Sequence, residues 1–132
     1  MKRRLILKKL HRSGEDYLET VLILQKKNGP VRSVDVADYM KVTRPSVSRA
    51  IGILKDGGFL VMNEDKTLTL TDIGKDTAER VYEKHCVLKD RLVSLGVDPE
   101  IAEQDACGIE HIISRESFEK IKALWMKPIT GD

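Results

Sequence analysis

The stretch SVDVADYMKVTRPSVSRAIGILKDGGFLV, residues 33–61, leaves the chain few ways to fold. Val34, Ala37 and Met40 recur at helical spacing, and Ser33 stands ahead of them as a capping residue. Only Lys41, Val42 and Thr43 separate this short helix from the next, which carries Pro45 in its first turn and turns Val47, Ile51 and Leu54 inward. Gly57 and Gly58 end that helix. The segment FLVMNEDKTLTLT then reads as two short strands around a polar turn at residues 63–66. Two helices joined by a tight connection and followed by a β-hairpin make a winged helix-turn-helix.

The flanking sequence is helical. Residues 14–28 repeat Tyr17, Val21 and Leu24, widened by Leu18 and Leu22, and stop at Asn28-Gly29-Pro30. From Asp72 to Leu95 a long helix carries Ala78, Val81, His85, Leu88, Leu92 and Leu95 at steps of three and four, closed by Gly96. Asp98 and Pro99 form a cap and first-turn pair for a fifth helix. The run SFEKIKALWM forms a sixth, with Phe118, Ile121 and Trp125 on one side, before Pro128 and Gly131. The expected fold class is mainly α: a winged helix-turn-helix DNA-binding domain over residues 1–75, then an α-helical domain over 76–132. Residues 1–13 form a basic N-terminal arm, read as a DNA-contacting segment or a solubilising tail.

Charge and apolar content narrow the function classes. The net charge of +2 hides an asymmetry: residues 1–70 carry 14 Lys and Arg against 8 Asp and Glu, whereas residues 71–132 carry 9 against 13. A basic front half points to a polyanion partner. The only apolar run near the start, Leu5-Ile6-Leu7, is too short for an export signal or a membrane span, so a cytoplasmic protein without a membrane partner is expected. In that compartment Cys86 and Cys107 stay reduced or serve as ligands.

The second helix of the motif offers Arg44, Pro45, Ser46, Ser48 and Arg49 at its exposed N-terminal end. Arginine forks onto a guanine edge or clamps a phosphate, and hydroxyls bond backbone or bases, as a helix in the major groove requires. Lys66 and Thr67 stand at the wing tip, within reach of phosphate. The plain alternative is a helical hairpin with a solvated polar face.

A second constellation lies further on. DACGIEH, residues 105–111, sets Cys107, Glu110 and His111 at i, i+3 and i+4 of one helix, hence on neighbouring positions. Asp16 and Glu19 stand three apart on the first helix, and His85 interrupts the apolar seam of the fourth. Each has a dull explanation alone: a buried small thiol, acids near a helix N-terminus, a hydrogen-bonded core histidine. Together they supply the mixed oxygen, nitrogen and sulfur donors that suit a divalent transition metal. A metal hydrolase with Glu110 as general base beside His85 and His111 would need an open coordination position and a cleft. The sequence holds no phosphate loop or nucleophile elbow, and that reading leaves the winged motif idle. A winged-helix regulator indifferent to metal would leave the donors idle instead.

EDYLET at 15–20, the winged motif, LTLTDIGK, the His85 helix and DACGIEHIIS at 105–114 together resemble the metal-dependent repressors typified by the diphtheria toxin repressor and the manganese transport regulator. The resemblance runs over residues 14–125 in unbroken order, in the two-domain form without an SH3-like domain. It implies a homodimer that binds a palindromic double-stranded operator when loaded with Fe(II) or Mn(II), controlling metal uptake, and no enzymatic activity. It also implies the ligands Asp16, Glu19, His85, Cys107, Glu110 and His111. Cys107 stands where manganese-type members have glutamate and iron-type members cysteine, while Asp16 stands where the iron type has methionine. The thiolate leans the expected choice towards Fe(II), with Zn(II), Co(II) or Ni(II) binding in vitro. Lys89 and Glu103 replace a carboxylate and a histidine of the iron-type ancillary site.

Overall fold

The computed structural model describes residues 12–126. Residues 1–11 of the basic arm, with Pro128 and Gly131, lie outside the described residues. The chain divides into two compact units, Met1–Arg80 and Val81–Asp132.

The first unit contains α1 (Arg12–Asn28), β1 (Val31–Arg32), α2 (Ser33–Met40), α3 (Arg44–Asp56), β2 (Leu60–Met62), β3 (Thr67–Leu70) and the start of α4 (Asp72–Ser94). The helix α1 begins two residues earlier than the apolar repeat implies, so Arg12 and Ser13 belong to it rather than to the arm. It packs against α2, α3, β1 and β3. Leu18 and Val21 are fully enclosed, with Val36, Val47, Leu54, Leu60 and Leu68 completing the core. Each such side chain contributes roughly 1.5–3 kcal/mol relative to exposure.

Two local readings are corrected in this unit. Ser33 is the first residue of α2 rather than its cap; Arg32 takes the cap position, and its backbone N–H donates to Asp35 Oδ2 at 2.9 Å. The buried residues of α2 are Val36 and Ala37, whereas Val34 and Met40 are only partly covered. The connection to α3 is made by Lys41 in the left-handed region at φ 58° and Val42, whose N–H donates to Ala37 O at 3.2 Å.

The hairpin is part of a three-stranded antiparallel sheet in the order β1-β3-β2, with Val31 opposite Leu68 and Leu60 opposite Leu70. Strand β1 is two residues long, too short to show an alternating pattern in the sequence. Behind the hairpin the chain is tightly tied: Thr71 N–H donates to Phe59 O, and Thr71 Oγ1 donates to Gly58 O and accepts from Gly74 N–H. A Cβ at Gly74 would lie 1.8 Å from Phe59 O, so only glycine fits there.

The second unit consists of the rest of α4, α5 (Pro99–Ile112) and α6 (Arg115–Met126). Gly96, at φ 100°, ends α4, and Val97 N–H returns to Leu92 O at 3.0 Å. Asp98 caps α5 by accepting from the backbone N–H of Glu100 and Ile101. Helix α6 starts two residues ahead of SFEKIKALWM because Ser114 Oγ accepts from Ser117 N–H at 3.0 Å. Leu88, Ala106 and Phe118 form the core of this unit, with Val87, Ile109, Ile113 and Trp125 packed against it. Leu95, expected on the apolar seam, is 66% exposed because α4 ends at Ser94 and Leu95 already lies in the turn that Gly96 completes. Ile112 is the most exposed large apolar residue among the described residues of the unit.

Candidate functional site

Within the second unit a polar cluster is built at the end of the buried stripe of α5. Ala102, Ala106 and Glu110 recur every four residues and all three are buried, Glu110 at 1% exposure. Glu110 is inside the core because it continues the stripe that the two alanines begin. Cys107 and His111 flank it, and one donor atom from each of the three lies within 4.8 Å of the others.

His85 approaches Glu110 from α4. Its Nδ1 lies 3.0 Å from Glu110 Oε2, and its Nε2 lies 2.9 Å from Glu103 Oε2. The Glu110 hydrogen bond raises the His85 pKa to about 9, burial opposes the rise, and Glu103 adds to it. Glu110 Oε1 lies 3.3 Å from His111 Nε2 without the alignment of a hydrogen bond, and has no hydrogen-bond partner among the described residues. A buried carboxylate oxygen left this way costs about 1–3 kcal/mol or more.

The fit of a divalent cation follows from that arrangement. The orphaned Oε1, a thiol and two imidazoles supply the donor types of a borderline transition-metal site, and the imidazolium of His85 now provides the positive charge that Glu110 demands. Glu110, His111, Cys107 and His85 are the residues of this unit that would hold such an ion.

Asp16 and Glu19 stand on α1 of the first unit, one turn apart, with Glu19 buried at 8% exposure. Sequence reasoning missed the link made by Glu103, which joins His85 to Lys89: Lys89 Nζ lies 2.9 Å from Glu103 Oε1. The available signal was the spacing of His85 and Lys89, one turn apart on the same helix. Burial alone would raise the Glu103 carboxyl, but Lys89 and His85 outweigh it and hold it below its ordinary range.

The first unit presents the other surface. Arg44, Pro45, Ser46, Ser48 and Arg49 are all exposed at the N-terminal end of α3, while Val47 between them is buried. The spacing leaves the polar residues together because Val47, Ile51 and Leu54 take the inner face. Thr43 caps the helix: its Oγ1 accepts from Ser46 N–H and donates to Ser46 Oγ at 2.8 Å. At the wing, Asp65 Oδ1 accepts from the N–H and hydroxyl of Thr67, which lowers the Asp65 pKa. Lys66 sits exposed at the tip, at φ 72°.

A winged helix-turn-helix in one chain with a helical unit that carries a carboxylate, thiol and imidazole cluster defines a class of metal-responsive DNA-binding proteins. Residues 9–68 match the N-terminal DNA binding domain of the iron dependent repressors, and residues 71–130 match their metal binding and dimerisation domain. The chain belongs to this family of metal-dependent transcriptional regulators, that of the diphtheria toxin repressor and the manganese regulators. It is 35% identical over 109 residues to the transcriptional regulator MntR of Salmonella typhimurium, covering 83% of this chain and 69% of the relative. With the HTH-type transcriptional regulator MntR of Lysinibacillus sphaericus it shares 34% over 112 residues, covering 85% and 81%. Among solved structures, a manganese-dependent transcriptional repressor in complex with manganese superposes with a TM-score of 0.76 at 26% identity, over 87% of this chain and 53% of the other. The chain thus spans about half the length of that solved structure.

Proposed function

We propose that this protein is a metal-dependent transcriptional repressor that binds a palindromic operator as a homodimer when loaded with Mn(II) or Fe(II), and so controls metal-ion uptake. The observation that carries the reading is Glu110, a buried carboxylate between two imidazoles with one oxygen lacking a hydrogen bond, in a chain that also carries a reading helix. Asp16 and Glu19 are proposed to join His85, Cys107, Glu110 and His111 as ligands, as in the family. A bound ion supplies positive charge that neutralises the clustered carboxylates, and the chain's own residues do the rest. Arg44 and Arg49 reach base edges or phosphate, Pro45, Ser46 and Ser48 line the same contact, and Lys66 meets the backbone. The dimer pairs two reading helices at the spacing of two half-sites.

The choice of ion rests on opposing donors. The carboxylates favour Mn(II), and the similar solved structure is a manganese-dependent repressor; the Cys107 thiolate favours Fe(II), with Zn(II), Co(II) and Ni(II) as competitors in vitro. No helix among the described residues is long and apolar enough to cross a membrane; a cytoplasmic location without a membrane partner is proposed from the DNA-binding role. Regulation rather than catalysis accounts for both the donor cluster and the winged motif. The test is operator binding with a labelled palindromic DNA, measured anaerobically against a panel of divalent ions. Affinity that rises with one or more ions is expected; DNA binding that ignores every ion would leave a metal-independent winged-helix protein.

A further inference from the structure

The Lys89, Glu103 and His85 chain lies on the opposite side of the imidazole from Glu110. His85 Nε2 is 2.9 Å from Glu103 Oε2, and Glu103 Oε1 is 2.9 Å from Lys89 Nζ, so both oxygens of Glu103 are engaged. The two sides of the ring differ in character. On the Nδ1 side Glu110 is buried and keeps an oxygen without a hydrogen-bond partner; on the Nε2 side Glu103 is half exposed and already neutralised by an ammonium. A divalent ion has reason to enter the first environment. In the second it would meet Lys89 at close range, and like charges repel.

We propose that Glu103, held by Lys89, is a positioning residue that keeps the proton of His85 on Nε2, leaves Nδ1 as the metal-binding nitrogen, and lets Lys89 occupy the charge position of a second cation. The proposal rests on the metal-dependent reading above. A metal-bound histidine commonly donates its other N–H to a carboxylate, which fixes the tautomer and the ring orientation. Here that carboxylate is itself fixed from the far side. The consequence is that His85 serves one ion, and that a single positive side chain decides whether a further ion can sit on its outer edge.

The experiment uses the full chain and its variants Glu103→Ala, Glu103→Gln and Lys89→Glu. Mn(II) affinity and stoichiometry are measured by calorimetry, and the His85 tautomer by imidazole ¹⁵N spectra of the Zn(II)-loaded protein. Wild type is expected to show Nε2–H with Nδ1 bound. Glu103→Ala should lose about 10–100-fold in Mn(II) affinity, the usual effect of removing an outer carboxylate, and Glu103→Gln should recover part of it because the amide oxygen still accepts. Lys89→Glu should bind one more ion per chain than wild type. Unchanged affinity and an unchanged ¹⁵N spectrum in Glu103→Ala would overturn the positioning role, and no additional ion in Lys89→Glu would overturn the role of Lys89. Either result in a wild type that still binds metal and gains operator affinity from it leaves the functional reading standing. A wild type that binds no ion removes both.

Discussion

At the scale of single residues, the chemistry concentrates in Glu110 because its environment gives it conflicting demands. A carboxylate at 1% exposure must be paired, and its two oxygens face different histidines, only one of them in hydrogen-bond geometry. Replacing the charge while keeping the shape separates metal binding from packing: Glu110→Gln is expected to remain folded and to lose on the order of 100-fold or more in Mn(II) affinity, since a direct donor matters more than an outer one. Calorimetry beside circular dichroism checks this, and retained affinity would remove Glu110 from the ligand set. Cys107 poses a different question. Its thiolate is the one soft donor of the cluster, so Cys107→Glu should shift activation of operator binding towards Mn(II), and Cys107→Ser should weaken the response to Fe(II), Co(II) and Zn(II) most. The same ranking of ions in all three proteins would make Cys107 a packing residue at the edge of the site.

At the scale of elements, α3 and the turn behind the wing carry separable roles. The inner face of α3 is spent on Val47, Ile51 and Leu54, so Arg49 is free to work outward. Arg49→Ala should weaken specific operator binding by about 1–3 kcal/mol with metal affinity nearly unchanged, as expected when a base-edge fork is lost. Titration of specific and scrambled DNA at matched salt distinguishes that role from a phosphate contact, which would weaken both DNAs alike and reduce the salt slope. Gly74 belongs to stability instead. A methyl group there meets Phe59 O at 1.8 Å, and that carbonyl is held by Thr71 N–H, so the backbone must shift. Gly74→Ala should destabilise the first unit by about 3 kcal/mol, the upper part of the usual range for overpacking, read as a lowered unfolding midpoint. An unchanged midpoint would show that α4 starts with slack.

At the scale of the whole molecule, what the sequence disclosed follows the range of the forces involved. Local signals were strong enough to give all six described helices and the hairpin: Pro45 in a first turn, Asp98 with Pro99, Gly96 as a stop, and the 3.6-residue repeats. The strand Val31–Arg32 was invisible because pairing with Leu68 and Thr67 creates it, and two residues have no period. The cluster in the second unit was legible as residue types, yet the burial of Glu110 and the bridge from His85 through Glu103 to Lys89 depend on how two helices meet. Phe118 illustrates the same limit: the repeat puts it on one side of its helix with Ile121 and Trp125, but its full burial in the core of its own unit depends on how the helices of that unit pack. One consequence of the proposed function needs no geometry at all. If metal raises operator affinity by some factor, thermodynamic linkage requires the operator to raise metal affinity by the same factor, typically 5–150-fold. Metal titrations of the protein with and without a saturating palindromic duplex should therefore give a ratio of affinities equal to the ratio of DNA affinities with and without metal. In Asp16→Ala, Glu110→Ala and His111→Ala both ratios should fall towards unity together, since each variant removes a proposed ligand. A duplex that leaves metal affinity unchanged, beside DNA binding that metal strengthens, would show that the ion acts by some route other than the folded, DNA-competent protein, such as by driving assembly of the dimer.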